Sequence, residues 1–175
     1  MKYFFIISLT LFSCSNTETN KDAKNEQFIL THKIDSLEQI GTNNSEGISK
    51  QDQDQLLSSL EEYASNFPKD DSLAFYLDKI QMIYAAKEDY IKSSEYAERI
   101  IKSHKNYPNR ALIIESQAAN YDVFLTPRDT NKIKHYYQLL LKENKNIDKE
   151  KREDILKRLK HIHLPLKEYI QFLNQ

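Results

Sequence analysis

The chain has 175 residues, 25 Lys/Arg against 26 Asp/Glu, 39% hydrophobic and 29% charged residues, and a formal net charge of -1, which fits one polar-surfaced domain with a real core and not two. Its only two glycines, Gly41 and Gly47, lie together in GTNNSEG, which excludes a glycine-rich phosphate loop, a nucleophile elbow and an Asn-Gly or Asp-Gly hairpin. Glycine poverty with four isolated prolines predicts an all-helical protein.

The chain opens MKYFFIISLTLFSCSN. Lys2 supplies a positive start, and Tyr3 to Leu11 form a short apolar run broken only by Ser8 and Thr10. A membrane-spanning helix needs about 20 apolar residues, roughly twice this length. The run therefore reads as a secretory signal. Leu11, Phe12, Ser13 and the lone Cys14 follow. This stretch resembles a bacterial lipobox, with Phe12 larger than the residue usual there. The resemblance implies a signal over 1–13, removed before Cys14, and lipidation of the Cys14 thiol. A single cysteine in an exported chain forms no internal disulfide, so the lipid gives it a use. Two or more acyl chains hold a protein firmly to a bilayer. The competing reading is an ordinary signal or uncleaved anchor with an incidental cysteine. Residues 14–25 are polar apart from Ala23 after the cysteine, and predict a disordered tether. Ser15, where some diderm bacteria use Asp to retain lipoproteins, implies the outer membrane.

From residue 26 to 175 the pattern predicts one helical domain. A first helix runs from Glu26 to Ile40 with Phe28, Leu30, Ile34 and Leu37 near one side. A second runs from Gln51 to Asn66 with Leu56, Leu57, Leu60, Tyr63 and Ala64 inward, and Pro68 ends it. Asp70 or Asp71 caps a third helix, because a carboxylate accepts the free N–H groups of a first turn. Its Leu73, Leu77, Ile80 and Tyr84 recur at the three- and four-residue steps of one helical face. After a turn at Glu88-Asp89, Tyr90, Ser93, Ala97, Ile100, Ile101 and His104 line a fourth. Asn109 caps a fifth, with Ile114, Ala118, Tyr121 and Leu125; Asp129 a sixth, with Ile133, Tyr136, Tyr137, Leu140 and Leu141. Asp148 caps a seventh, carrying Ile155, Leu159 and Ile162. Pro165 opens a short eighth with Leu166, Tyr169, Ile170 and Leu173.

Asn66-Phe67-Pro68 and Asn106-Tyr107-Pro108 lie 40 residues apart. Paired helices repeating at that period are the pattern of an α-solenoid, in which each pair buries its face on the next. The stretch EDYIKSSEYAERIIKSHKNYPN resembles the second helix and exit of a tetratricopeptide repeat. Asp89-Tyr90, Ser93 and Tyr107-Pro108 occupy the acidic-aromatic, small and aromatic-Pro places, and Leu77, Ile80 and Tyr84 the bulky places of the first helix. Gln81 and Glu88 stand where that family prefers Gly, and Ala97 where an aromatic is common. In the next unit Ile133, Tyr136 and Leu140 fit, while Pro127-Arg128 replaces the usual turn. The long Tyr-Pro exit is similar to repeats in envelope lipoproteins of outer-membrane assembly and cell-division coordination. The resemblance implies a tetratricopeptide-like α-solenoid of seven to eight helices in antiparallel pairs; the alternative is an irregular helical bundle.

No motif positions a nucleophile with a base, and no cofactor motif is present, so the reading is not an enzyme. His161 and His163 are two apart, whereas two zinc ligands on one helix face are four apart, so neither is read as a metal ligand. Asp52-Gln53-Asp54 and Asp70-Asp71 are capping material rather than a calcium loop; His104 and His135 read as core-edge residues. From Cys14 to Pro127 there are twelve Lys/Arg against nineteen Asp/Glu, and from Arg128 to Gln175 twelve against seven. The basic end is a solvated face, or else a contact for an acidic partner or anionic headgroups. Export excludes nucleic acid. Eleven tyrosines with no Trp supply aromatic side chains for partner contacts, and Tyr76, Tyr96 and Tyr137, off the main stripes, are the candidates. The expected function is that of an exported, lipid-anchored adaptor for an envelope protein or peptide, with a small immunity or inhibitor protein as the alternative.

Overall fold

The computed structural model describes residues 16 to 174, except 45 and 46. Cys14 and the expected signal over 1–13 lie outside the described residues. The fold is all-α, with eight α-helices among the described residues: α1 Asn16–Asn43, α2 Lys50–Asn66, α3 Leu73–Ala86, α4 Tyr90–Ser103, α5 Arg110–Ala119, α6 Thr130–Glu143, α7 Lys149–Lys160 and α8 Leu166–Leu173. Among the described residues there is no strand. A five-residue π-helical turn, Asn120–Phe124, follows α5 directly. No helix among the described residues is long and apolar enough to cross a membrane.

The chain divides into two units within α2, residues 1–59 and 60–175. In the first, α1 begins at Asn16, ten residues ahead of the expected start. It takes in most of the stretch read as a tether, which holds no Gly or Pro to stop a helix. Asp22 to Glu26 are all exposed. Leu30, Ile34 and Leu37 are buried, but Phe28 is 62% exposed. Two residues before Leu30 is about 200° around a helix, so Phe28 points away from the buried stripe. Ser49 opens α2, its Oγ accepting from the Asp52 N–H at 3.1 Å. Gly41 faces Ile48, where an added Cβ would stand only 3.2 Å from the Ile48 Cβ.

In the second unit the extensive contacts run between successive helices, α3 on α4, α4 on α5, α5 on α6 and α6 on α7. Short connections between contacting helices make them antiparallel neighbours. The inward residues read for α3 are all buried, as are Ala97, Ile100, Ile114, Ala118, Ile133, Tyr136, Leu140 and Ile155. Asp89, Asp129 and Asp148 cap α4, α6 and α7 through their carboxylates. Two other caps differ. Asp71 does not cap α3; Ser72 holds that place, and Asp70 accepts from the Ser72 N–H at 2.8 Å. Asn109 stands at the α5 cap, but its amide donates instead to Asp78 at 3.1 Å. Asp78 also accepts from Tyr107 at 2.8 Å and from Gln81 at 2.9 Å. Burial, then the Asp78 bond and charge, push the Tyr107 phenol up to about 12. Gln81 is buried, held by Asp78 and by Ser93, whose hydroxyl donates to it at 3.4 Å. In α8 Tyr169 is buried, while Ile170 and Leu173 are exposed.

Candidate groove beside a repeated tyrosine-carboxylate cluster

Glu61, on the last turns of α2, gathers two tyrosines. Its Oε1 accepts from Tyr84 at 2.6 Å and from Tyr96 at 2.8 Å. The two rings stack at 5.7 Å and 13°. Lys92 sits 4.8 Å over the Tyr84 ring and donates to its hydroxyl at 3.2 Å.

The same arrangement occurs again. Glu98 Oε1 accepts from Tyr121 and from Tyr136, each at 2.9 Å. Those rings stack at 5.8 Å and 15°. Lys132 lies 4.4 Å over Tyr121 and donates to Glu98 at 3.0 Å. Glu61 and Tyr84 map onto Glu98 and Tyr121 with an offset of 37 residues, and Lys92 and Tyr96 onto Lys132 and Tyr136 with an offset of 40. The cluster on the end of α2, on α3 and on α4 therefore recurs on α4, on the π-turn after α5 and on α6, with three residues added between Tyr121 and the capping Asp129.

Each cluster is held by charge and burial together. Burial would raise the Glu98 carboxyl, but the bonds from Lys132, Tyr121 and Tyr136 outweigh it and hold the group below its ordinary value of 4.5. Burial raises Tyr84, Tyr96 and Tyr136, and the glutamate each one bonds adds to the shift. Their hydroxyls stay protonated donors throughout the physiological range.

The added residues shape the surface. Leu125 N–H closes the π-turn on Asn120 C=O at 2.9 Å. The turn carries Val123 and Phe124 into solvent, with Phe124 49% exposed and stacked on Tyr90 at 4.2 Å. π-turns inside helices are frequent at functional sites. Beside it lies an open groove of about 640 Å³, lined by Ile91, Glu95 and Glu98 of α4, by Leu125 and Arg128 of the connection, and by Lys132 of α6. A second hollow of about 520 Å³ shares Glu95 and Glu98 and reaches Tyr136 and Ile101. Ile91, at the groove's apolar end, is 65% exposed.

A buried ion cluster fixes the connection from behind. Asp122 accepts from Arg158 through both oxygens, at 2.9 and 2.8 Å, and from Arg128 Nε at 2.7 Å. Arg128 donates onward to Ile162 C=O, and Arg158 to His161 and Leu164 C=O. Arg158 also lies 4.8 Å over the Tyr169 ring. The π-turn, the 125–129 connection, α7 and the turn before α8 are thereby tied to one carboxylate.

The candidate tyrosines fall in three different places. Tyr76 is only 8% exposed and packs on Tyr63 at 4.1 Å, so it is a core residue rather than a contact surface. Tyr137 is half-buried against the cluster of Ile114, Ala118, Tyr136, Leu140 and Ile155. Tyr96 is half-buried in the Glu61 cluster, with Arg99 5.4 Å from its ring. They do not converge. The groove that Ile91 and Leu125 share was missed because Val123-Phe124 reads as the continuation of a helix. Among the described residues no three His, Cys, Asp or Glu stand as a metal-binding group. His161 and His163 rings lie 6.2 Å apart. Comparison with protein-family models, with curated proteins and with solved structures finds no match.

Proposed function

We propose that this chain is an exported lipoprotein, held at the outer membrane by acyl chains on Cys14, whose tetratricopeptide-like body binds an envelope protein or peptide as an assembly adaptor. The observation that carries the binding reading is the groove made by the added residues between Tyr121 and Asp129. In stacked-repeat proteins, insertions within a repeat map to loops on one face, often the binding face. Here the insertion coincides with an exposed aromatic on a π-turn and a groove beside it. The register of the two glutamate-tyrosine clusters supports a repeat origin for the scaffold. The sequence Leu11-Phe12-Ser13-Cys14 supports the anchor.

The test is chemical crosslinking of the intact protein in its native cells, followed by purification and mass spectrometry. One or a few envelope proteins in near-stoichiometric yield are expected. Recovery of the chain alone under mild crosslinking would contradict the adaptor reading.

A further inference from the structure

The groove has an apolar end and a charged waist, and the internal pairs decide the sign of that waist. Lys132 is paired with Glu98, whereas Arg128 shares the Asp122 carboxylate with Arg158. Asp129 has its Oδ1 on the Asn131 and Lys132 N–H groups. Glu95, exposed on the groove wall one helical turn beyond Ile91, takes no partner among the described residues. The lining therefore carries Glu95, Glu98 and Asp129 against Arg128 and Lys132, an excess of one negative charge, with Glu95 the exposed carboxylate, next to the apolar surface of Ile91 and Leu125.

We propose that the groove binds an extended segment of a partner protein carrying an apolar side chain and, two residues away, a Lys or Arg. The spacing follows from geometry. Ile91 and Glu95 are four residues apart on α4, about 6 Å along the helix axis at 1.5 Å per residue. Side chains on one face of an extended chain repeat every two residues, about 6.6 Å. The apolar residue meets Ile91 and Leu125 while the basic one meets Glu95, with Asp129 adding to the field. This inference rests on the adaptor reading and names the chemistry of its partner.

The test is selection of a phage-displayed random nonapeptide library on the purified full chain, repeated on Glu95→Lys and Ile91→Ser. Both substituted side chains are exposed, so the variants keep the fold, and circular dichroism checks this. The expected result is enrichment of apolar-x-Lys/Arg sequences on the parent chain. On Glu95→Lys, a selected peptide should bind about tenfold more weakly or worse, the size of a lost charged hydrogen bond, and the enriched sequences should turn acidic at that position. Ile91→Ser should lose the apolar preference. Enriched peptides with no basic preference, or a preference unmoved by Glu95→Lys, would overturn the inference while leaving the adaptor reading standing. Failure to enrich any peptide would overturn it too, and the in-cell crosslinking then decides separately whether the adaptor reading falls with it.

Discussion

Asp122 is the residue on which the C-terminal half of the second unit most depends. Its side chain is 2% exposed and that of Arg158 5%. Breaking a buried ion pair by removing one partner costs about 3–5 kcal/mol, because the other charge is left without compensation. Asp122→Ala leaves two guanidinium groups in that state. Its urea midpoint should fall accordingly, and a loss below about 1 kcal/mol would show that water reaches the site. Glu88 presents the opposite case. It has a φ of 61°, the left-handed region that costs an L-residue about 1–2 kcal/mol. Glycine avoids that cost but loses more chain entropy on folding, about 0.5–1 kcal/mol. Glu88→Gly should therefore stabilise the protein by about 0.5–1 kcal/mol, read as a rise in Tm of a few degrees. Glu98 gives a pH prediction. Its folded pKa lies below the ordinary 4.5, so its stabilising effect is complete above that value and is lost as pH falls through the folded pKa. Thermal unfolding from pH 7 to pH 3 should show a fall in Tm below about 4.5 that is shallower in Glu98→Gln.

Among the elements, the α3–α4 pair and α6 were the most legible, because apolar residues at helical spacing and a capping aspartate agree there. Asp89, Asp129 and Asp148 cap where a first turn demands an acceptor. In α8 the pattern did not tell which residues face inward: Tyr169 lies against Arg158, and Ile170 and Leu173 are left outside. The repeated cluster was not legible, for two physical reasons. Glutamate on a polar helix reads as solvated surface, and only the three-dimensional structure brings Glu61 to tyrosines 23 and 35 residues away. The three added residues also shift the register from 37 to 40, so no single offset aligns both halves. A comparison of the chain with itself in two registers would have found it. The π-turn left no local mark, since Asn120 to Phe124 carries no Gly or Pro. At this scale Phe124→Ser should cost less than about 1 kcal/mol, the worth of one exposed aromatic pair, while removing most of the partner crosslinking. A large loss of stability would show that Phe124 serves packing instead.

For the whole molecule, the anchor and the groove are separable claims. Cys14→Ala should leave folding intact and move the protein from the membrane to the soluble fraction; retention in the membrane unchanged would contradict lipidation. The groove claim is reached most directly by placing a photo-crosslinking amino acid at Phe124, on the turn beside the groove, in native cells, with the more exposed Leu112 on α5 as the control. The account predicts one dominant adduct from position 124, absent from position 112 and lost in Ile91→Ser. The same adducts from both positions, or none from 124, would contradict it.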